Sequence, residues 1–410
     1  MKKILRSLFL ILLFSLKSVH AEKPLYQIKV EGVYGNILKH TRHLERIVKD
    51  PTMGFVINYE MFTNHNSRDW HGFFNFPRTG IGVVHLNLGN DSILGNLFAM
   101  YPYLNFPLIN TKGFKFYVKA GAGVSYLTRT FNNALYIYDS SKSLLNQSNA
   151  AIGSKLNVWF VGGSNLEIPL FSGLSITAGA HWNHASNGSF FQPNSGLNMI
   201  NFSAGISYFP QHKSYYPPII RNYPDLKRKW GMDITLSGGV RELYYVDDQM
   251  FPTGSFVFSV HRQMGNRLRL GLAFDGFYDG VYAAVNSSAD PAKNTSKYMF
   301  TYLTEDLLIN RFRAGVSLQP EFVFGRLTAG IHFGLYLFNP IKNLEPYADA
   351  RAGTLNKPLI YAYNIEKEHG WLYTRASLKY LINKNLFLNL GLKTHLQKAE
   401  FIEWGIGYRL

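Results

Sequence analysis

The feature of this 410-residue sequence that most limits its fold is an alternation of apolar and polar residues, repeated along much of the chain. Between Leu174 and Ser186, apolar side chains at even positions up to Trp182 alternate with small or polar side chains at odd positions. The same pattern recurs in Phe114–Tyr126, Tyr26–Glu31 and Phe55–Met61. A period of two is typical of a β-strand with one apolar face. The alternation therefore predicts an all-β protein.

Hydropathy helps to decide whether this all-β chain is a membrane protein. Beyond the amino-terminal segment, no apolar run reaches the roughly 20 residues that a membrane-spanning helix needs. A soluble exported sandwich would bury its apolar faces, whereas a membrane barrel turns them to lipid and fills its lumen with polar groups. Aromatic residues make up 15% of the chain, and Tyr and Trp often stand near strand ends. This favours a transmembrane antiparallel β-barrel.

The amino terminus indicates export. Residues 1–21 combine basic residues, the apolar run Leu8–Phe14 and the small-residue cleavage site Val19–Ala21, as a signal peptide does. Its removal takes away four positive charges, so the formal net charge falls from +16 to +12. A basic mature chain suits a phosphorylated, anionic partner, and export disfavours nucleic acid. With no cysteine, neither a disulfide framework nor a thiolate nucleophile is available.

Counting the alternating segments gives a domain plan. Eight candidate strands precede position 210, and eight is the smallest common closed barrel, so residues 22–209 are predicted to form one barrel. A segment rich in proline and basic residues, 210–230, is predicted to be a linker, and 231–410 a second strand-rich unit. The predicted strands of the first unit are 25–36, 53–62, 80–88, 97–109, 114–128, 150–168, 173–186 and 198–209.

The second unit leaves its architecture open. Its candidate strands include Met232–Ser237, Phe256–His261, Leu327–Leu337, Leu372–Tyr380 and Leu386–Thr394, and an alternating carboxy-terminal strand ends at Leu410. The ends of the two halves, INFSAGISYF at 200–209 and FIEWGIGYRL at 401–410, are loosely alike, which suggests an old duplication. Two packed eight-stranded barrels and one barrel of about 14 to 16 strands both fit the count.

Three polar residues are predicted to meet on the lipid side of the first barrel. Strand seven runs outward, so its end lies at the cell-surface rim, where His184 and Ser186 continue the even-numbered apolar row. Asn198 shares parity with the apolar residues of strand eight, beginning at Ile200. Polar groups that face hydrocarbon are costly, and this placement therefore indicates a function.

The residue types suit acyl transfer. Ser186 would be the nucleophile, His184 the general base, and Asn198 the acceptor that orients the imidazole. Residues two apart on one strand face are close enough for the His–Ser contact. The backbone N–H groups of Asn187 and Gly188 are candidates for binding a developing oxyanion. On the inward-facing positions, His181 and His85 are interpreted as interior residues.

A resemblance supports this assignment. The segment HWNHASNGSFFQPNSGLNMINFSAGISYF, residues 181–209, resembles the lipid A 3-O-deacylase family of acyloxyacyl hydrolases. The matching features are the H-x-S-N-G run that begins at His184 and the P-N-x-G-x-N run from Pro193 to Asn198. Similarity extends to WHGFFNFPRTGIG at 70–82 and YPYLNFPL at 101–108, so it covers the first half of the chain.

The resemblance implies an eight-stranded outer-membrane barrel that hydrolyses the ester-linked 3-hydroxyacyl chain of lipid A without a metal or other cofactor. Lipid A, or lipopolysaccharide, would be the substrate and the outer membrane the location, while a homodimeric assembly is left open. Family members use a Ser-His-Glu triad, and the Glu position falls on Asn198 here. An amide can accept the imidazole N–H but stabilises an imidazolium less than a carboxylate does. The alternative function is a non-catalytic outer-membrane barrel, either a pore or a surface interaction protein.

Overall fold

The protein is represented by a computed structural model. The signal segment predicted at 1–21 and most of the linker predicted at 210–230 lie outside the residues that the structure describes. The described residues are 25–64, 68–132, 148–214, 229–242, 250–283, 307–340, 371–395 and 398–410.

The first eight strands form a closed antiparallel barrel in which each strand pairs with its neighbours in chain order. Closure joins β1 to β8, with Ile28 opposite Tyr208 and Ile37 opposite Met199. We call the end that holds Tyr26 and Tyr208 the base and the opposite end the rim. The strands are β1 Tyr26–Ile37, β2 Thr52–Met61, β3 Arg78–Asn87, β4 Asn96–Asn110, β5 Lys115–Leu127, β6 Leu156–Phe171, β7 Leu174–Ser186 and β8 Leu197–Tyr208.

The second half forms its own closed eight-stranded barrel. It closes through β9 and β16, where Ile234 lies opposite Tyr408. The structure thus decides between the two architectures that the strand count allowed, in favour of two barrels. The strands are β9 Trp230–Arg241, β10 Phe251–Gln263, β11 Leu268–Asp279, β12 Phe312–Phe324, β13 Leu327–Phe338, β14 Leu372–Leu381, β15 Leu386–His395 and β16 Lys398–Arg409.

The predicted alternation divides each strand between two environments. In β1, Ile28 and Val30 point outward and are exposed, whereas Lys29 and Glu31 point inward and are buried. Outward apolar and inward charged side chains are the reverse of a soluble sandwich, and they match a barrel that faces lipid. The all-β barrel predicted from the sequence is therefore confirmed.

Side chains fill the lumen of the first barrel. Glu60 forms ion pairs with Lys29 at 3.1 Å and with Arg78 at 3.3 Å. Arg78 also pairs with Glu167 at 2.6 Å, and Lys119 lies buried beside them. An eight-stranded barrel is just wide enough for its own side chains to fill it. This packing argues against the pore version of the non-catalytic alternative.

Short helices lie in the connections. None of the helices among the described residues has the length and apolar character needed to span a membrane. The strand predicted to begin at residue 150 begins instead at Leu156, because Ala151 and Ile152 are buried in the rim, and Ile152 bridges to Asn194. The α-helices are Arg42–Ile47 and Asp69–Phe73, and the 3₁₀ helices are His212–Ser214, Gly280–Ala283 and Leu308–Arg311.

The rim contains a buried histidine whose charge should control local order. The Ala150 N–H donates to His43 Nε2 at 2.9 Å, which requires a neutral imidazole. Burial, and to a smaller extent the nearby Arg46, lowers the pKa of His43 to about 4. The neutral His43 ring therefore contributes its full stabilisation above the ordinary histidine pKa of about 6.5. This stabilisation is lost as the pH falls through the lowered pKa of about 4.

We therefore expect the rim segment around Ala150 to exchange its amide hydrogens faster, relative to a strand amide, as the pH falls from about 7 to about 4. Hydrogen exchange followed by mass spectrometry measures this, after correction for the intrinsic pH dependence. His43→Gln can accept the same N–H but does not titrate, so its relative protection should stay constant. Equal pH dependence in both proteins would contradict the assignment.

Candidate active site

The end of β7 carries the predicted catalytic pair at the rim of the first barrel. In the antiparallel register, His184 lies directly opposite Asn198 of β8, and Ser186 lies opposite Val158 of β6. Ala185 is fully buried on the inward face. Because side chains of a strand alternate between its faces, His184, Ser186 and Asn198 share the outward face.

The three side chains form a continuous hydrogen-bonded chain. His184 Nε2 lies 2.8 Å from Ser186 Oγ, and His184 Nδ1 lies 2.8 Å from Asn198 Oδ1. If Asn198 Oδ1 accepts the proton on Nδ1, then Nε2 is left as the acceptor of the Ser186 hydroxyl. The structure thus brings together all three residues in the order that acyl transfer needs.

Aromatic rings and a glycine enclose the imidazole. The Trp182 ring stacks on His184 with centroids 5.7 Å apart and planes 13° apart, and Phe160 lies on the neighbouring strand at 6.2 Å. Gly196 has a φ of +71°, and a Cβ there would lie 2.8 Å from His184 Cε1. The glycine of the P-N-x-G-x-N run is therefore needed both for its backbone conformation and for the close approach to the ring.

The turn after Ser186 is braced by Asn187. Its side-chain amide donates to Ser154 Oγ at 3.0 Å and to the Phe191 carbonyl at 2.9 Å. Its backbone N–H donates to Asn194 Oδ1 at 3.0 Å. The Asn187 N–H therefore already has an acceptor, which disfavours it as an oxyanion donor. No acceptor is found for the Gly188 N–H among the described residues, which leaves it as the stronger candidate.

Other histidines of the first barrel divide between its two faces. His181 is buried in the lumen, and its Nε2 lies 3.0 Å from Asn165 Oδ1, in line with its interpretation as an interior residue. His85 was assigned to the same face, but this was wrong. It lies against the outward rings of Phe55 and Phe98, with Nε2 3.2 Å from Asn96 Oδ1. The hydrogen bond lets a polar ring sit on an outward position.

Two family models match the sequence. Residues 57–207 match "Lipid A 3-O-deacylase (PagL)", which includes His184, Ser186 and Asn198. Residues 230–349 and 359–410 match "Acyloxyacyl hydrolase, C-terminal domain". The second match falls on the second barrel. No curated protein matches the chain.

Solved structures give distant similarities. Neisserial surface protein A is 9% identical with a TM-score of 0.28, over 45% of this chain and 96% of its own. The outer membrane enzyme PagL is 14% identical with a TM-score of 0.27, over 44% of this chain and 98% of its own. The N-terminal β-barrel domain of Pseudomonas aeruginosa OprF is 13% identical with a TM-score of 0.25, over 45% of this chain and 100% of its own.

Proposed function

Because this chain belongs to the lipid A 3-O-deacylase family, with the C-terminal domain of acyloxyacyl hydrolases as its second barrel, we propose that Ser186 and His184 remove an ester-linked 3-hydroxyacyl chain from lipid A. The protein lies in the outer membrane and is a hydrolase of lipid A esters, as its family is. The proposal adds the chemical mechanism and the residues that carry it.

One observation carries the mechanism: the hydrogen-bonded chain of Ser186, His184 and Asn198 stands on the outward face of the barrel. Most outward positions of β7 and β8 hold apolar residues, such as Ile176 and Phe202. Three polar groups among these apolar residues destabilise the barrel, so barrel stability does not explain their presence. Nucleophilic catalysis on a lipid explains both the residue types and their location.

In the first half of the reaction, His184 Nε2 takes the Ser186 hydroxyl proton while Oγ attacks the acyl carbonyl carbon. The carbonyl oxygen becomes an oxyanion, for which the Gly188 N–H is the candidate donor. When the tetrahedral intermediate collapses, the ester C–O bond breaks, and the lipid A alkoxide leaves with the proton from His184. The acyl chain is then bound to Ser186.

In the second half, a water molecule replaces the lipid alcohol. His184 takes a proton from this water, which attacks the acyl-enzyme carbonyl. Collapse of the second intermediate returns the proton to Ser186 Oγ and releases the hydroxy fatty acid. Throughout, Asn198 Oδ1 accepts the Nδ1 proton and keeps Nε2 directed at the serine.

The position of the site explains how a lipid could reach it. Trp182 and Phe202 are exposed on the outward face at and below the depth of His184. A substrate in the outer leaflet would lay its acyl chains along these apolar side chains while its polar head stays at the rim. The ester would then approach Ser186 from the lipid, and the filled lumen would take no part.

Lipid A mass spectrometry tests the proposal. The full-length gene is expressed in an outer-membrane host, and lipid A is extracted from cells with and without it. We expect a new lipid A species that has lost the mass of one ester-linked 3-hydroxyacyl chain, together with the free hydroxy fatty acid. Unchanged lipid A, with the barrel folded and present in the outer membrane, would refute the proposal in favour of a non-catalytic barrel.

A further inference from the structure

The turn that follows the catalytic serine, Gly188–Gln192, makes hydrogen bonds to the rim of the second barrel. The Ser189 hydroxyl donates to the Ala399 carbonyl at 2.6 Å. The Glu242 N–H donates to the Ser189 carbonyl at 3.2 Å, and the Gln192 N–H donates to Glu242 Oε2 at 2.8 Å. Glu242 directly follows β9, and Ala399 belongs to β16, so both partners lie where the second barrel closes.

Apolar packing from the second barrel meets the same turn. A Cβ at Gly188 would lie 2.4 Å from Ile402 Cγ1 and 3.3 Å from Leu392 Cδ1. These side chains belong to β16 and β15 and lie on the outward face of the second barrel. Gly188 is therefore in close contact with the second barrel. In the sequence it stands two residues after Ser186, which ends β7.

The backbone of this turn is strained. Gly188 has a φ of +63° and Ser189 a φ of +67°. The left-handed region is open to glycine but costs free energy for serine, so such a serine persists only where its surroundings hold it. Ser189 is only 2% exposed, and two of its polar groups bond to the second barrel. The hydrogen bonds with Ala399 and Glu242 of the second barrel are thus made by Ser189, the residue whose backbone is strained.

We infer that the second barrel is part of the catalytic machinery, because its Glu242 and Ala399 hold Ser189 in the conformation that keeps the Gly188 N–H available to the oxyanion. Glu242 and Ser189 are positioning residues that act through Gly188 and do not touch the reacting atoms. The inference rests on the proposed function, since an oxyanion forms only if Ser186 attacks an ester. It gives the second barrel a role in catalysis.

Substitutions at Ser189 separate positioning from simple docking of the barrels. Ser189→Ala removes the bond to Ala399 and keeps the strained Cβ, whereas Ser189→Gly removes the same bond together with the strain. Using full-length protein in detergent with lipid A as substrate, we expect Ser189→Ala to lower kcat by at least about 10-fold with KM within about 2-fold. Ser189→Gly should stay within about 3-fold of the wild-type kcat, because glycine adopts a positive φ freely.

Glu242 supplies an independent pair of variants. Glu242→Ala removes the acceptor of the Gln192 N–H and should lower kcat in the same way. Glu242→Gln keeps an acceptor oxygen and should restore most of the rate. This pair carries the test if Ser189→Ala does not fold, which the heat-dependent gel mobility of the barrel reveals.

A contact between the two barrels at the base of the first barrel provides a control, because it lies far from the turn at Gly188–Gln192. Phe324 of the second barrel packs against Phe74 of the first, with centroids 4.7 Å apart, and against Phe106 at 5.9 Å. Phe324→Ala disturbs the contact between the barrels far from the turn and should leave kcat unchanged.

The outcomes distinguish the two claims. An equal loss of kcat in Ser189→Ala and Ser189→Gly, or a matching loss in Phe324→Ala, would overturn the inference in favour of docking alone. Unchanged kcat in Ser189→Ala and Glu242→Ala would also overturn it. An inactive wild-type protein would refute the proposed function itself, whereas an active wild type with unaffected variants refutes only the inference.

Discussion

Replacing Ser186 with alanine should abolish the release of fatty acid from lipid A, with a loss in kcat of at least about 10³-fold. The substitution removes the hydroxyl that lies 2.8 Å from His184 Nε2, so the proposed acyl-enzyme cannot form. Ser186→Ala deletes a single oxygen and keeps Cβ in place, so we expect the barrel packing to stay nearly intact. The measurement is the rate of fatty acid release by purified protein, alongside lipid A mass spectrometry of the expressing cells.

The control for this result lies on the same strand. Ser175 of β7 is buried on the inward face near the base, away from the predicted site. Ser175→Ala makes the same chemical change at a position that the mechanism does not use, and it should retain wild-type activity. Activity that survives Ser186→Ala would show that another group is the nucleophile, while equal losses in both variants would point to damage of the barrel.

Replacing Asn198 with aspartate should raise kcat by at least about 10-fold, because a carboxylate stabilises the imidazolium that forms in the transition state and an amide does not. Aspartate has nearly the shape of asparagine, so the 2.8 Å contact with His184 Nδ1 can be kept. The aspartate variant therefore tests the charge of the third residue without changing its reach. Initial rates at saturating lipid A measure the effect.

Asn198→Leu is the matched variant that removes the acceptor and keeps a similar volume. It should lower kcat by about 10- to 100-fold, because the imidazole loses the group that fixes its tautomer and orientation. A slower Asn198→Asp enzyme with an intact barrel would mean that the amide N–H₂ has a role of its own. Identical rates in all three proteins would remove Asn198 from the proposed mechanism.

Part of this site could be predicted from the pattern of a single strand. His184 and Ser186 are two residues apart on an alternating strand, and the pleat places them on one face whatever else the chain does. Asn198 was harder to place, since its contact with His184 depends on the register between β7 and β8. The family motif, with its spacing of 12 residues between Ser186 and Asn198, supplied what alternation lacked.

One residue was assigned to the wrong face of its strand, and one predicted backbone donor already has an acceptor. His85 was assigned to an inward-facing position, yet it shares the outward face of β3 with Ile81 and Val83. Asn187 was taken as a backbone donor because it adjoins the nucleophile, but its N–H is bound by Asn194. The acceptor of the Asn187 N–H lies seven residues further along the chain, and no strand pattern reveals it.

The sequence alone determined the all-β class, the inward and outward faces of most strands, and the shared face of His184 and Ser186, because these follow from the period of two within a continuous strand. Only the tertiary structure decided that β9 closes with β16 into a separate barrel, and that Ala399 and Glu242 meet Ser189. Those contacts join residues that are 50 or more positions apart, up to 210. Their formation depends on barrel closure and on the packing of one barrel against the other, which no local pattern encodes.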